Sequence, residues 1–378
     1  MIKLDEKQIR NKIENRINAD VLSGRVGGAQ VCVKQDGKVI YEGCFGRSCE
    51  DRELTNDTVF RLASMTKPIT GVAIMKQIGR GLVSLDDPLE KFIPEYGDMK
   101  IGKVDSDGNV VEEKAAEGKI RILHLLTHSS GVGCAALGDK LNIITPKEKM
   151  TDIKSITDAY ANYPISFEPY TAQAYSPTLG FDLLARVVEI TSGMPYNEYL
   201  EKEIFEPLDM KDTSFTPTAE QWDRMVSIHN YKDGKALFYD VNRSHIFGNM
   251  PLTYFCGGAG LASTVADYIK FADMLLGEGQ GTNGARILEP ELVRQMRTPA
   301  IPEQVMPGNQ RWGLSMRVIT KDSYKRLPTN SYGWSGAYGT HFWVDPDNKI
   351  TAVYMKNSHF DGGSGASTAA RFEEDVYL

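Results

Sequence analysis

Apolar and polar residues alternate through residues 28–46, GAQVCVKQDGKVIYEGCFG, on both sides of Asp36-Gly37. Alternation with a period of two, interrupted by Asp-Gly, predicts a β-hairpin. A second hairpin is predicted near the other end of the chain, in THFWVDPDNKITAVYMKN, turning at Pro346-Asp347-Asn348. An amphipathic helix precedes the first hairpin, and STAARFEEDVYL reads as a closing helix. Between them, from LDDPLEKFIPEY to about FEPLDMKDTSF, the pattern is mostly helical. TLGFDLLARVVEITSG is an amphipathic helix that ends at Gly193. Strands return over 214–320, mixed with the helices TVADYIKFADMLLG and EPELVRQMRT, and TPAIPEQVMPGNQ reads as a surface loop. The expected fold class is α+β, an α/β sandwich. Its antiparallel sheet is built from both chain ends and flanked by helices. Residues 1–82 and 212–378 would form the sandwich domain, and 83–211 an inserted, mostly helical domain. Clefts between such domains commonly hold ligands.

One apolar stretch breaks its own pattern. FRLASMTKPITGVAIMKQIGRG, Phe60 to Gly81, reads as a helix with Lys67 on its apolar side. At ~100° per residue, Lys67 falls in line with Ile74 and Ile78, while Lys76 and Arg80 mark the solvent face. Pro68 is tolerated in a first turn, which places Ser64 at the helix N-terminus. A buried ammonium is costly unless paired. A hydroxyl three residues from such a lysine is its neighbour on the helix surface, and the two together suit an activated nucleophile.

Composition narrows the classes. The chain has 378 residues, 41% hydrophobic and 25% charged, with a net charge of -7. These are values of an ordinary globular protein with a sizeable core. No basic block of the kind that tracks phosphates is visible, so no nucleic-acid partner is expected. No apolar run reaches the ~18 residues of a membrane span. The first residues lack the apolar core and cleavage site of a signal peptide, so a cytoplasmic location is expected unless a leader was removed. The five cysteines match no zinc spacing, and His124 and His128, four apart, have no third ligand nearby in sequence. No metal and no cofactor is expected.

The segment around Ser64 resembles the nucleophile segment of the serine β-lactamase and penicillin-binding protein superfamily. It is most similar to the class C branch and the related family VIII carboxylesterases. LLTHSSGV (Leu125–Val132), YSPTLGFDLLARVVEITSGMPYNEYLEKEIFEPLDM, GGAGLASTVADYIKFADMLL and GWSGAYGTHFWVDP resemble further family segments in the same order, so the likeness runs from about residue 10 to 370. It implies a β-lactamase/transpeptidase-like fold, Ser64 as nucleophile, Lys67 as its activating partner and Tyr175 as a second proton-transfer group. A phenol is a poor base in water, but an ammonium beside it stabilises the phenolate. The resemblance also implies an oxyanion hole from the backbone N–H groups of Ser64 and Ala337. In LLTHSSGV, His128 is expected to fix a loop by hydrogen bonds rather than to act as a base.

Two motifs depart from the antibiotic-hydrolysing and cell-wall members. Their Y-x-N is here Tyr175-Ser176-Pro177, and their K-T-G is Trp334-Ser335-Gly336. The amide and the cation that would hold an amide and a carboxylate are both replaced. W-x-G resembles the esterase and acyltransferase branch. Strand alternation would place Trp334, Gly336 and Tyr338 on one face as a substrate floor around Ser335, with Tyr170 and Phe167 adding to it. The reading is a serine hydrolase that forms an acyl-enzyme on Ser64, with small esters or similar acyl compounds as substrates. A β-lactamase, D-alanyl carboxypeptidase or D-aminopeptidase is the rival if Arg311 replaces the missing lysine. A non-catalytic scaffold or ligand sensor is the rival of another class, and intact Ser64, Lys67 and Tyr175 argue against it.

Overall fold

A computed structural model describes residues 2–105, 107, 109–135, 137–138, 151–239, 241–248, 250–321, 326–363 and 366–377. Residues 139–150 of the predicted helical segment lie outside these. The described strands are β1 (Gly28–Gln35), β2 (Lys38–Cys49), β3 (Arg52–Glu53), β4 (Phe60–Arg61), β5 (Lys100–Val104), β6 (Val110–Ala115) and β7 (His229–Lys232). They continue with β8 (Lys235–Phe238), β9 (Ala262–Ser263), β10 (Gln310–Trp312), β11 (Arg317–Ile319), β12 (Tyr332–Ser335), β13 (His341–Asp345) and β14 (Ile350–Met355). Eight of them form an antiparallel sheet in the order β10-β11-β12-β13-β14-β1-β2-β3, so strands from the two chain ends meet where β14 pairs with β1.

Both predicted hairpins are present. Asp36 and Gly37 take φ of 50° and 77°, the double positive φ that Asp-Gly supplies at least cost. The sheet is buried on both faces, and the alternation sorts its side chains. Val31, Val33, Trp343, Ala352 and Tyr354 pack toward the helices Glu6–Leu22 and Ser367–Tyr377. Cys32, Phe342, Val344 and Val353 face the core that holds the helices Thr66–Gly79 and Val265–Leu276. Asp5 caps the first helix, its side chain accepting from Gln8 N at 2.9 Å. Gly193, at φ 69°, ends the helix Leu179–Ser192, which packs against Thr66–Gly79.

Three local features differ from the sequence pattern. The apolar run Phe60–Gly81 is not one helix: Phe60–Arg61 pairs with β9, Ala63–Met65 form a 3-10 turn, and the α-helix starts at Thr66. A short buried strand and a buried helix share the same apolar signature. Lys76 is not free in solvent, because Glu203 lies 3.1 Å from it and also receives Arg80 at 2.7 Å. The predominantly helical middle contains the hairpin β5–β6, whose turn is organised by Asp105 Oδ1 accepting from Asn109 N at 2.8 Å. Among the described residues, no helix is long and apolar enough to cross a membrane.

Candidate active site

Ser64 sits in a turn that the surrounding backbone holds on both sides. Ala63 before it has φ 48°, a left-handed conformation that costs a side chain about 1–3 kcal/mol. Leu62 N donates to Leu261 O at 2.9 Å, and Thr340 Oγ1 donates to Leu62 O at 2.8 Å. On the other side, Tyr268 Oη donates to Met65 O at 2.8 Å. The strain at Ala63 persists because these bonds outweigh it.

Lys67 follows in the first turn of the helix and is fully buried. Its Nζ donates to Ser64 Oγ at 3.1 Å, to Pro177 O at 2.6 Å and to Gly258 O at 2.8 Å. The ammonium therefore has three acceptors for three N–H bonds, and is paired by carbonyls rather than by an acid. The rings of Tyr175 and Phe181 lie 5.0 and 5.4 Å from Nζ. Gly258 must be glycine here, because a Cβ would come within 2.8 Å of Thr178 Cα.

Tyr175 is half-buried beside this pair. Its hydroxyl oxygen accepts from Trp334 Nε1 at 3.3 Å, and its ring is stacked 6.2 Å from that of Trp312. His128 packs against both rings, 4.5 Å from Tyr175 and 4.4 Å from Trp312. It holds the tyrosine loop as predicted: its Nδ1 accepts from Ser176 N at 3.1 Å and its carbonyl accepts from Ala174 N at 3.1 Å. Burial, with Lys67 adding to it, pushes His128 well below the usual imidazole range, so the ring is neutral. His124 has separate work, its Nδ1 accepting from Arg121 N at 3.1 Å. Among the described residues, no group of three metal-ligating side chains converges.

Gly336 opens a turn rather than continuing β12. Its N–H donates to Thr340 O at 2.7 Å, and Gly339 N donates to Gly336 O at 2.8 Å. A Cβ on Gly336 would lie 2.2 Å from Leu62 O, so only glycine lets this turn press against the backbone leading to Ser64. Ala337, at the exposed tip, has an N–H without an acceptor among the described residues.

Ser64, Tyr175, Trp334, Ser335 and Ala337 line one cavity of about 400 Å³, completed by Trp312, Met306 and Arg317. A larger depression of about 640 Å³, near Asn18 and Phe238, holds none of these groups. Four expected floor residues are absent from the lining of the Ser64 cavity, Gly336 among them because its turn presses on the backbone before Ser64. Tyr338 is carried off the strand face by the turn and packs against Phe247 and His359, at 5.6 and 5.7 Å. Tyr170 stacks on His124 at 5.3 Å and donates its hydroxyl to Ala300 O at 3.1 Å, outside the cavity wall. Phe167 is also absent from that wall. The cation in the wall is Arg317, not Arg311, which lies 3.5 Å from Glu303.

Asp182 is a further member of the surroundings. It is fully buried in the first turn of Leu179–Ser192 and accepts from Tyr254 Oη and, at 2.9 Å, from Gly257 N. It thereby fixes the loop whose next residue, Gly258, accepts from Lys67. Burial raises its carboxyl to about 6, against the pull of Tyr254, Gly257 and Lys67.

A family model described as Beta-lactamase matches residues 9–374. Lovastatin esterase of Penicillium rubens is 30% identical, over 97% of this chain and 98% of that one. Esterase EstB of Burkholderia gladioli is 25% identical, over 97% and 95%. Among solved structures, EstCE1, described as a hydrolase with promiscuous acyltransferase activity, matches with a TM-score of 0.81 at 21% identity and covers 99% of each chain.

Proposed function

The chain belongs to the Beta-lactamase family, and from that membership we propose an esterase or acyl-transferring serine hydrolase whose acyl-enzyme forms on Ser64. The observation that carries this reading is the buried Lys67 Nζ, 3.1 Å from Ser64 Oγ. Ser64 Oγ attacks the ester carbonyl carbon while its proton passes to the Lys67–Tyr175 pair, which acts as one coupled unit. The carbonyl oxygen becomes an oxyanion held by the N–H groups of Ser64 and Ala337, donors worth ~3 kcal/mol each in such sites. Collapse breaks the bond to the alcohol oxygen, which takes the proton from the pair and leaves. Water or an alcohol then attacks the acyl-enzyme with the proton moving the same way, releasing the acid or a new ester.

Trp334 stands where the cell-wall and antibiotic-hydrolysing members carry a lysine. Its indole N–H is directed at the Tyr175 oxygen, where negative charge develops when that phenol gives up its proton. Arg317 supplies the wall with a cation, but Glu373 lies 3.1 Å from it and offsets its charge. These contacts support ester substrates without a required carboxylate. The names of the relatives, an esterase and a lovastatin esterase, support the same class. The test is turnover of p-nitrophenyl butyrate: the enzyme releases p-nitrophenol and the Ser64→Ala protein releases none above background. Equal release by both would remove the proposal.

A further inference from the structure

A second fully buried lysine, Lys356, directly follows β14. A buried ammonium is costly unless paired, and its Nζ lies 3.2 Å from Asp361 Oδ2. The same carboxylate accepts from the N–H of Ser367 and, at 3.0 Å, from that of Thr368, in the first turn of the last helix. Asp361 is held at φ 55°, a left-handed conformation that a side chain adopts at a cost. The ion pair closes the chain from 356 to 361 into a small loop, and the helix end anchors that loop from behind.

The loop lies against the turn that carries Ala337. Ser358 N donates to Tyr338 O at 2.8 Å, and Gly363 N donates to Gly336 O at 3.0 Å. A Cβ on Gly362 would come 2.0 Å from Ala337 O, and one on Gly339 would come 2.3 Å from Lys356 Cε, so the loop and the lysine stem both press on the turn. Asn357 reaches the other half of the site. Its Oδ1 accepts from Arg61 N at 2.9 Å and its Nδ2 donates to Arg61 O at 3.0 Å, three residues before Ser64. Gly336 C=O and Ala337 N–H belong to one planar trans peptide, so they point in opposite directions. Gly339 N, at 2.8 Å, and Gly363 N hold that carbonyl between them. They thereby set the direction of the Ala337 N–H, which has no acceptor of its own among the described residues.

We propose that Lys356 is a positioning residue for the ester reaction: through its ion pair with Asp361 it holds the loop that fixes the direction of the Ala337 N–H and its spacing from that of Ser64. It acts through Ala337 and touches no substrate. The inference rests on the oxyanion role given to Ser64 and Ala337 above. Its consequence is specific to one stage of the reaction. A misaimed N–H weakens the hold on the tetrahedral oxyanion, where the charge has developed, and leaves binding of the neutral ester nearly untouched.

The test pairs p-nitrophenyl butyrate turnover with inhibition by n-butylboronic acid, which adds to a serine hydroxyl and presents an anionic tetrahedral adduct to the oxyanion donors. Lys356→Met/Asp361→Asn removes both charges and strands neither. Its kcat should fall about tenfold with KM within about twofold, a fraction of the ~10²–10³ that loss of an oxyanion donor costs. Ki for the boronic acid should rise by the same factor. Lost thermal stability with kcat and Ki unchanged would leave the pair a structural one and overturn the proposal. Gly362→Ala keeps the ion pair but drives a Cβ against Ala337 O, so it should produce the same two changes. It carries the test if the paired variant does not fold, and unchanged values in it overturn the proposal as well. An unaltered enzyme that hydrolyses the ester but ignores the boronic acid would remove the oxyanion reading, and the role of Lys356 with it. Equal inhibition of the unaltered enzyme and both variants leaves that reading standing and removes only Lys356.

Discussion

Trp334 Nε1 donates to the Tyr175 hydroxyl oxygen across 3.3 Å, joining two residues 159 positions apart. The tyrosine has no hydrogen bond to Ser64 or Lys67 in this state, so the indole is what orients its oxygen. An N–H placed there stabilises the phenolate form through which the proposed proton transfer runs. Trp334→Phe keeps most of the apolar wall and removes the donor. It should lower kcat for p-nitrophenyl butyrate about fivefold to tenfold, with little change in KM, the worth of a net hydrogen bond felt mainly after binding. An unchanged kcat would show that the contact only packs the ring.

Lys67 and Tyr175 should behave as one unit. Lys67→Ala and Tyr175→Phe should each reduce ester turnover by at least ~100-fold, the usual range for losing a positioned acid or base. The double variant should fall far short of the product of the two. Steady-state kinetics on the three proteins, with circular dichroism to check folding, make the comparison. Multiplicative losses would mean independent roles.

Asp182 gives the fold a pH dependence of known sign. Its carboxyl is raised by burial from 3.8 to about 6, so the folded state favours the protonated form. That contribution is complete below about 3.8 and is lost as pH rises through about 6. Asp182→Asn has no proton to lose. Its Tm should therefore gain on that of the unaltered protein between pH 4 and pH 7, while Asp375, also raised to about 6, acts equally in both and cancels. A Tm difference that stays constant over this range would contradict the account.

Much of this architecture can be read from residue order, and the rest has definite physical reasons for being hidden. Asp36-Gly37 and the alternating strands around it identify the first hairpin, because turn chemistry and a period of two are local. Ser64 and Lys67 are legible for the same reason, being one helical turn apart. Trp312, Arg317 and Asp182 are not, since each reaches the site through pairing or packing with distant segments. Arg317 comes beside Gly333 only by the register of β11 on β12. Strand alternation alone would carry Tyr338 onto the cavity face, but the turn that begins at Gly336 ends that alternation two residues earlier.

Substrate choice should follow the two altered motifs. A penicillin brings an amide and a carboxylate, and each unpaired polar group costs ~1–3 kcal/mol. Two such losses correspond to roughly 30-fold to 10⁴-fold in transition-state binding. kcat/KM for p-nitrophenyl butyrate should exceed that for benzylpenicillin by at least ~100-fold, within that range. Trp334→Lys should narrow the ratio. Hydrolysis of benzylpenicillin at the rate of the ester would place an effective carboxylate partner in the wall, with Arg317 the first residue to test.

The most direct measurement is covalent labelling. A fluorophosphonate reacts with a serine only where the hydroxyl is activated and an oxyanion site receives the phosphoryl oxygen. Intact-mass analysis followed by peptide mapping should find a single adduct on Ser64, and none in Ser64→Ala protein that keeps the same circular dichroism spectrum. An adduct on another serine, with Ser64 unmodified, would contradict the account at its centre.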